Sequence, residues 1–221
     1  LVQAGLVTRK EGGRGLYDRF RNRILIPLIQ VGGEVVGFGA RALEAGDEPK
    51  YLNSPETAVY HKSSFLYGLD RARRHVQRGG EVIVVEGYFD VMVLHQAGLA
   101  NTVATSGTAL TPDHAKALRR MTNRIALTYD RDSAGREAVV RSLGSLLAGG
   151  LDVVVVDLPA GEDPDSLVRK GGVSAWESVR NRAGDPVAFL ERHMIRTGGA
   201  ADAREAAVQA VVRMAAEVSD P

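Results

Sequence analysis

From residue 82 onward the chain alternates short apolar runs with amphipathic stretches. VIVVE (82–86), TVAT (102–105), RIALTYD (124–130) and DVVVVD (152–157) have the length and Val/Ile content of buried strands. A helical segment separates each run from the next. YFDVMVLHQAG follows the first, a helix opened by Thr111 with Pro112 in its first turn follows the second, and residues 134–148, ending at Gly149-Gly150, follow the third. Near-continuous apolar strands separated by helices predict a parallel sheet covered on both faces. Before residue 80 the pattern differs. RILIPLIQV (23–31) and EVVGFGARA (34–42) flank Gly32-Gly33 as the arms of a β-hairpin. The first twenty residues show no period, and the polar stretch 44–64 reads as a long functional or domain-joining loop. A short helix is expected over 69–78, carrying Arg71, Arg73 and Arg74. Beyond LPAGEDPD (158–165) only helix is expected. Asp185 caps one helix with Pro186 behind it and Val187, Leu190 and Met194 on one face, and a last helix carries Ala207, Val211, Met214 and Val218 at helical spacing. The expected fold class is α/β: a parallel sheet flanked by helices, preceded by a mixed β-hairpin region and followed by a helical tail. The expected divisions are 1–79, 80–171 and 172–221.

Composition narrows the class. Of 221 residues, 44% are hydrophobic and 25% charged, enough for a sizeable core and against disorder. The absence of cysteine excludes a disulfide framework, thiolate zinc and a cysteine nucleophile. No apolar run approaches the ~18 residues of a membrane span, and no signal peptide is recognisable, so a cytoplasmic protein with no membrane partner is expected. The net charge of +1 conceals a gradient: residues 1–80 sum to +5 and residues 81–221 to −4. Such a split suits a protein holding a polyanion on one surface and metal on another, although uneven solvated charge gives the same sums. The opening lacks methionine and reads as a piece of a longer protein.

The chemistry-bearing residues collect where an open parallel sheet places them, beyond the carboxyl ends of its strands. The first run ends in Glu86-Gly87, the third in Asp130-Arg131-Asp132, and the fourth leads into Glu162-Asp163-Pro164-Asp165. Residues two apart in extended chain point the same way, so Asp130 and Asp132 are expected to project together. Carboxylates gathered at one place repel, and a divalent cation with oxygen ligands resolves the repulsion; Mg²⁺ takes one or two carboxylates and shares the rest with water and phosphate. A single strand-end carboxylate is more often a helix cap, whereas three strand ends together favour metal. Gly87 and Gly135 suit close approach of backbone to phosphate or metal, or serve as ordinary turn glycines. Ser106-Gly107-Thr108 offers backbone N–H groups to a phosphate without being a P-loop. Gly37-x-Gly39-x-x-Ala42 is followed by no helix and reads as hairpin strand. No histidine pair has metal-ligand spacing.

The strings VVEGYFDV (84–91) and YDRDSAGREA (129–138) resemble the Toprim domain shared by bacterial primases, topoisomerases and some nucleases. GEDPDSLVRKGG (161–172), PKYLNSPET (49–57), YHK (60–62) and RFRNRILIPL (19–28) narrow the resemblance to the RNA polymerase domain of bacterial DnaG-type primases, over residues 14–172 and more weakly beyond. The resemblance implies a nucleotidyltransferase that makes short RNA primers on single-stranded DNA from NTPs. It implies Glu86, Asp130 and Asp132 as catalytic metal ligands, with Asp90, Asp163 and Asp165 as supporting acidic positions. Arg41, Lys50, Asn53 and Lys62 would handle nucleotide, and Arg21, Arg23 and Arg41 nucleic-acid phosphates. Mg²⁺ is the implied cofactor, with Mn²⁺ as a substitute, and the replication fork the implied location. The family's cysteine-containing zinc module and its helicase-binding region have no counterpart here. No zinc is therefore expected, the helicase is expected only through a missing region, and the fragment's own activity is open.

Three other readings remain. A Toprim nuclease or topoisomerase would use the same carboxylates, although no tyrosine stands in a topoisomerase motif. An aspartyl-phosphate phosphotransferase would use Asp130, leaving Glu86-Gly87 and PKYLNSPET without a role. A non-catalytic nucleotide- or single-strand-binding module would be indifferent to loss of Asp130.

Overall fold

The computed structural model describes residues 1–10, 12, 15–44, 46–76, 80–107, 109–130, 133–197 and 202–216. The chain forms two units, Leu1–Phe65 and Leu66–Pro221.

The first unit is antiparallel. β1 (Val7–Arg9) pairs with β2 (Leu16–Asp18), and β3 (Arg23–Ile29), β4 (Val35–Ala42) and β5 (Tyr51–Asn53) form a sheet in that order. The expected hairpin is β3–β4, turned at Gly33 with φ 100°. β3 is an edge strand with Pro27 in its middle and a register shift between Leu28 and Ile29. Ile26, Leu28 and Ala40 are buried, as are Tyr60 and Phe65, whose rings meet edge-to-face at 5.4 Å. The sequence showed no period at β1 and β2 and read β5 as loop. Three-residue strands are too short to display an alternation.

In the second unit, β6 (Glu81–Val85), β7 (Thr102–Ala104), β8 (Arg124–Leu127) and β9 (Asp152–Val155) form a parallel sheet in the order β7-β6-β8-β9. Alternate residues go to opposite faces. Val82, Val84, Ile125, Leu127, Val153 and Val155 meet α1 (Leu69–His75), α3 (Pro112–Arg119), α4 (Ser133–Ala148), α6 (Pro186–Arg196) and α7 (Ala203–Ala216). Ile83, Val85, Ala126 and Val156 meet α2 (Tyr88–Gln96) and α5 (Pro164–Arg180), with Trp176 buried there. Burial on both faces is why these strands read as unbroken apolar runs.

The chain divides into compact units at 65/66; the divisions at 79/80 and 171/172 remain expectations. Leu69, Ala72 and Val76 put α1 into the core of the sheet unit. α5 is two helical stretches that meet at Gly172 (φ 64°), at the second expected boundary; Leu167 and Val168 of the first and Trp176 and Val179 of the second share one core, and α6 and α7 cover the opposite face, so the helical tail packs within the same unit.

Gly68, the residue before α1, shows how tightly α1 is seated. It has φ 81°, and a Cβ there would lie 2.8 Å from Val91 Cγ1 and 3.1 Å from the Thr102 carbonyl oxygen. Gly68→Ala is expected to destabilise the unit by about 1–3 kcal/mol, read as a lower urea midpoint with unchanged slope.

Candidate functional site

The chain leaves β6, crosses to β7 on one side and returns to β8 on the other, so the strand order reverses between β6 and β8. Loops after these two strands diverge there and leave a crevice at their carboxyl ends. Glu86 follows β6 and Asp130 lies three residues beyond β8. The Asp130 backbone N–H donates to Glu86 Oε1 at 3.1 Å, joining residues 44 apart in sequence. Gly135, in the first turn of α4, closes the crevice from above. A Cβ at that position would fall 2.1 Å from the Asp130 carbonyl oxygen and 3.1 Å from Glu86 Oε1. A side chain is excluded there.

Asp90 stands behind this pair in the first turn of α2, where its Oδ2 accepts the Gly87 N–H at 3.1 Å. Burial pushes its carboxyl up to about 7; the Asp130 charge adds to the rise, the Gly87 N–H opposes it, and the Asp163 charge and Asp165 N–H act more weakly. Five expected acidic positions, Glu86, Asp90, Asp130, Asp163 and Asp165, therefore share one neighbourhood, and α2 and α5 pack together. Asp163 has a second duty: it is the N-cap of α5, its Oδ1 accepting the Ser166 N–H at 2.6 Å. Asp165 pairs with Arg169 one turn on. Asp132, the third expected ligand, lies outside the described residues. Among the described residues no three His, Asp or Glu side chains are gathered closely enough to hold one ion.

Hydroxyl groups fix the loops beneath the carboxylates. Tyr129, next to Asp130, is buried; its hydroxyl lies 3.3 Å from Ser142 Oγ and bonds the Thr105 side chain. Burial pushes this phenol up to about 12. Ser106, at φ 60°, donates its N–H to the Glu86 carbonyl at 3.0 Å, and burial pushes the Tyr88 phenol up to about 12. The Thr128 hydroxyl is buried without a hydrogen-bond partner among the described residues.

The first unit carries the expected basic positions. Arg41 on β4 lies opposite Tyr51 on β5, and its guanidinium stands 5.9 Å from the Tyr51 ring, with Lys50 Nζ at 5.6 Å. Asn53 shares the Tyr51 face two residues on, and its carbonyl accepts two bonds from Arg19, at 3.2 and 2.9 Å. Arg21 lies over the Tyr17 ring at 5.0 Å, and Arg23 donates to the Pro49 carbonyl. Tyr17, Arg19, Arg21 and Arg23 line a groove of about 460 Å³ together with Asp47 and Glu48. At Lys62 the backbone is clamped: Glu56 Oε1 accepts its N–H at 2.9 Å, and that bond is the main cause holding the Glu56 carboxyl below its ordinary range. The Lys62 ammonium makes no ion pair among the described residues.

The sequence reading passed over Tyr17, Arg19 and Tyr51. The adjacency Lys50-Tyr51 and the interleaving of Tyr17 with Arg19 and Arg21 were the available signal, since a cation beside an exposed ring is a platform for an unstacked base.

Residues 1–73 match the family described as DNA primase catalytic core, N-terminal domain, and residues 83–168 match the Toprim-like family. The chain is 45% identical over 176 residues to a DNA primase of Clostridium acetobutylicum, covering 80% of this chain and 29% of that protein. A DNA primase domain from Pseudomonas aeruginosa superposes with a TM-score of 0.86 at 37% identity, covering 98% of this chain and 69% of that one. A DnaG primase catalytic domain bound to single-stranded DNA superposes with a TM-score of 0.84 at 39% identity, covering 99% and 71%. The chain spans about a third of the length of the curated relatives it matches.

The Asp90 carboxyl generates a prediction. It is ordinary, near 3.8, when the chain unfolds and about 7 when folded. Between those values the folded state binds the extra proton, so ionisation of Asp90 weakens folding as pH rises through the window, by up to about 4 kcal/mol above pH 7. Asp90→Asn in metal-free buffer is therefore expected to match wild type near pH 4 and to exceed it increasingly up to pH 7. Urea titrations at several pH values read the difference; a constant offset would contradict the burial of this group.

Proposed function

Because the chain belongs to the bacterial DnaG-type primase family, we propose that it carries the catalytic part of primer synthesis, joining ribonucleotides on a single-stranded DNA template by nucleotidyl transfer from NTPs. The observation that carries this reading is the junction of Glu86 and Asp130 at the strand-order reversal, closed by a glycine that leaves no room for a side chain.

The residues present suit a divalent cation. Two carboxylates meet the number that Mg²⁺ takes. The charge pressing on Asp90 is what a cation would relieve, and a buried Thr128 hydroxyl without a partner among the described residues lies two residues from Asp130. Glu86 and Asp130, with Asp132, would hold the ion, and Asp90, Asp163 and Asp165 would set the field around it. We assign Mg²⁺, with Mn²⁺ as a substitute. When bound, it supplies Lewis acidity, easing loss of the attacking 3′-hydroxyl proton and offsetting charge on departing pyrophosphate.

The remaining work falls to the chain's own groups. The Asp130 N–H fixes Glu86 in orientation, and Tyr129 and Ser106 anchor the loops on either side. Lys62, with its backbone clamped by Glu56 and its ammonium unpaired, meets triphosphate as a point charge, as does Lys50. Arg21, Arg23 and Arg41 hold template phosphates, and the Tyr17 and Tyr51 rings beside them receive unstacked bases. Asn53 contributes to nucleotide binding. The single-stranded DNA held by a relative supports this template reading. Replication in the bacterial cytoplasm is the setting we assign.

Mn²⁺ titration calorimetry, with and without ATP, tests the carboxylates. Asp130→Asn is expected to weaken Mn²⁺ binding 10-fold or more while the thermal transition stays cooperative. Binding equal to wild type would remove Asp130 from the site.

A further inference from the structure

Positive charge in the second unit is concentrated in two short segments. Residues 69–80 and 112–124 together hold eight Arg and Lys against two Asp, a net of +6, whereas the rest of residues 66–221 sums to −7. The first segment is α1 and the chain leading to β6; the second is α3 and the chain leading to β8. Both helices pack on the same hydrophobic cluster, through Leu69, Ala72 and Val76 on one and Ala115 and Leu118 on the other. The Thr122 hydroxyl donates to the Gly80 carbonyl, joining the residues that lead into β8 and β6. α1 and α3 are followed in the chain by β6 and β8, so their carboxyl-terminal arginines lie toward the amino ends of these strands, a basic face at the opposite end of the sheet from Glu86 and Asp130.

The acidic residues of the two helices neutralise little of it. Asp70 lies 4.0 Å from Arg71 and Asp113 lies 3.5 Å from Lys116. Arg73, Arg74, Arg119 and Arg120 are exposed, and their side chains enter no ion pair or hydrogen bond among the described residues. Arg124 is different: it lies within β8, in register between Glu81 and Asp152 of the neighbouring strands, and not on either helix.

The two segments contain no Phe, Tyr or Trp. That separates this face from the first unit, where Arg21, Arg41 and Lys50 each lie over a tyrosine ring. Single strands are held by backbone charge together with rings that stack on splayed bases. A face of arginines without rings can hold only backbone, and a duplex, whose bases are already stacked, presents just that.

We propose that Arg73, Arg74, Arg119 and Arg120 form a second nucleic-acid surface, selective for the phosphate backbone of a double helix. This rests on the nucleic-acid reading above and adds a partner that the carboxylate site and the first unit do not account for. The duplex is either double-stranded DNA or the RNA–DNA hybrid that primer synthesis makes.

The test is fluorescence anisotropy with three labelled probes, a 24-base-pair DNA duplex, the corresponding RNA–DNA hybrid and a dT strand, over a salt series. Combined Arg73→Gln, Arg74→Gln, Arg119→Gln and Arg120→Gln is expected to weaken duplex binding 10-fold or more. The slope of log K against log salt should fall by about 3 to 4, while dT binding stays within about 2-fold. Arg21→Ala with Arg23→Ala should do the reverse. The tighter of the two duplex probes identifies the source. Two double variants, one per helix, report the same effect in halves should the quadruple variant not fold. Duplex binding unchanged in the variant, or lost equally with dT, overturns the proposal, as does a wild-type chain that binds dT but no duplex. Binding of no probe at all overturns the nucleic-acid reading and this surface with it.

Discussion

Like charges held close together at the carboxyl ends of β6 and β8 are the constraint around which the second unit is organised. Asp90 feels both Asp130 and Asp163, and burial adds to the cost of its charge. Such a cluster persists only where the scaffold is stable enough to hold it. Here that scaffold is a sheet buried on both faces, with Val82, Val84, Ile125 and Leu127 packed on one side and Ile83, Val85 and Ala126 on the other. Helix termini lower the cost further. Asp90 lies in the first turn of α2 and Asp163 caps α5, so both carboxylates meet the positive end of a helix dipole and its unpaired N–H groups.

The two units solve different problems of charge. The sheet unit gathers carboxylates at one edge and arginines at the other. The antiparallel unit spreads its cations along strands and sets them against rings and carbonyls, as with Arg41 beside Tyr51 and Arg19 on the Asn53 carbonyl. A guanidinium supported in this way loses less freedom when an anion arrives than one free in solvent.

The parallel sheet was legible because its strands are apolar throughout and its helices carry Thr111, Asp163 and Asp185 where caps are needed. Thr111-Pro112 and Asp185-Pro186 open α3 and α6 as their chemistry dictates. Glu86 and Asp130 could be singled out because each follows a recognisable strand. Their meeting could not be derived from spacing, because it depends on β6 and β8 being hydrogen-bonded neighbours. Projecting Asp130 and Asp132 together takes the strand to run through residue 130, whereas β8 ends at Leu127, and Asp132 lies outside the described residues. The raised Asp90 carboxyl was out of reach for the same reason: its causes lie up to 75 positions away, at Asp163 and Asp165. The division at residue 65 was hidden because α1 is short and three of its seven residues are arginine; only Leu69, Ala72 and Val76 reveal which core it serves.

The open edge of the antiparallel sheet bears on how copies of this chain behave in company. β3 exposes Ile24 and Leu25 beside an unpaired strand margin, the arrangement through which chains add to one another and grow into aggregates. Pro27 interrupts that margin by removing an amide hydrogen, and the register shift at Leu28/Ile29 bends what remains. An incoming strand can therefore find no long uninterrupted ladder to join. Ile24 and Leu25 thus stand at the surface beside an edge that offers little backbone for another chain to pair with.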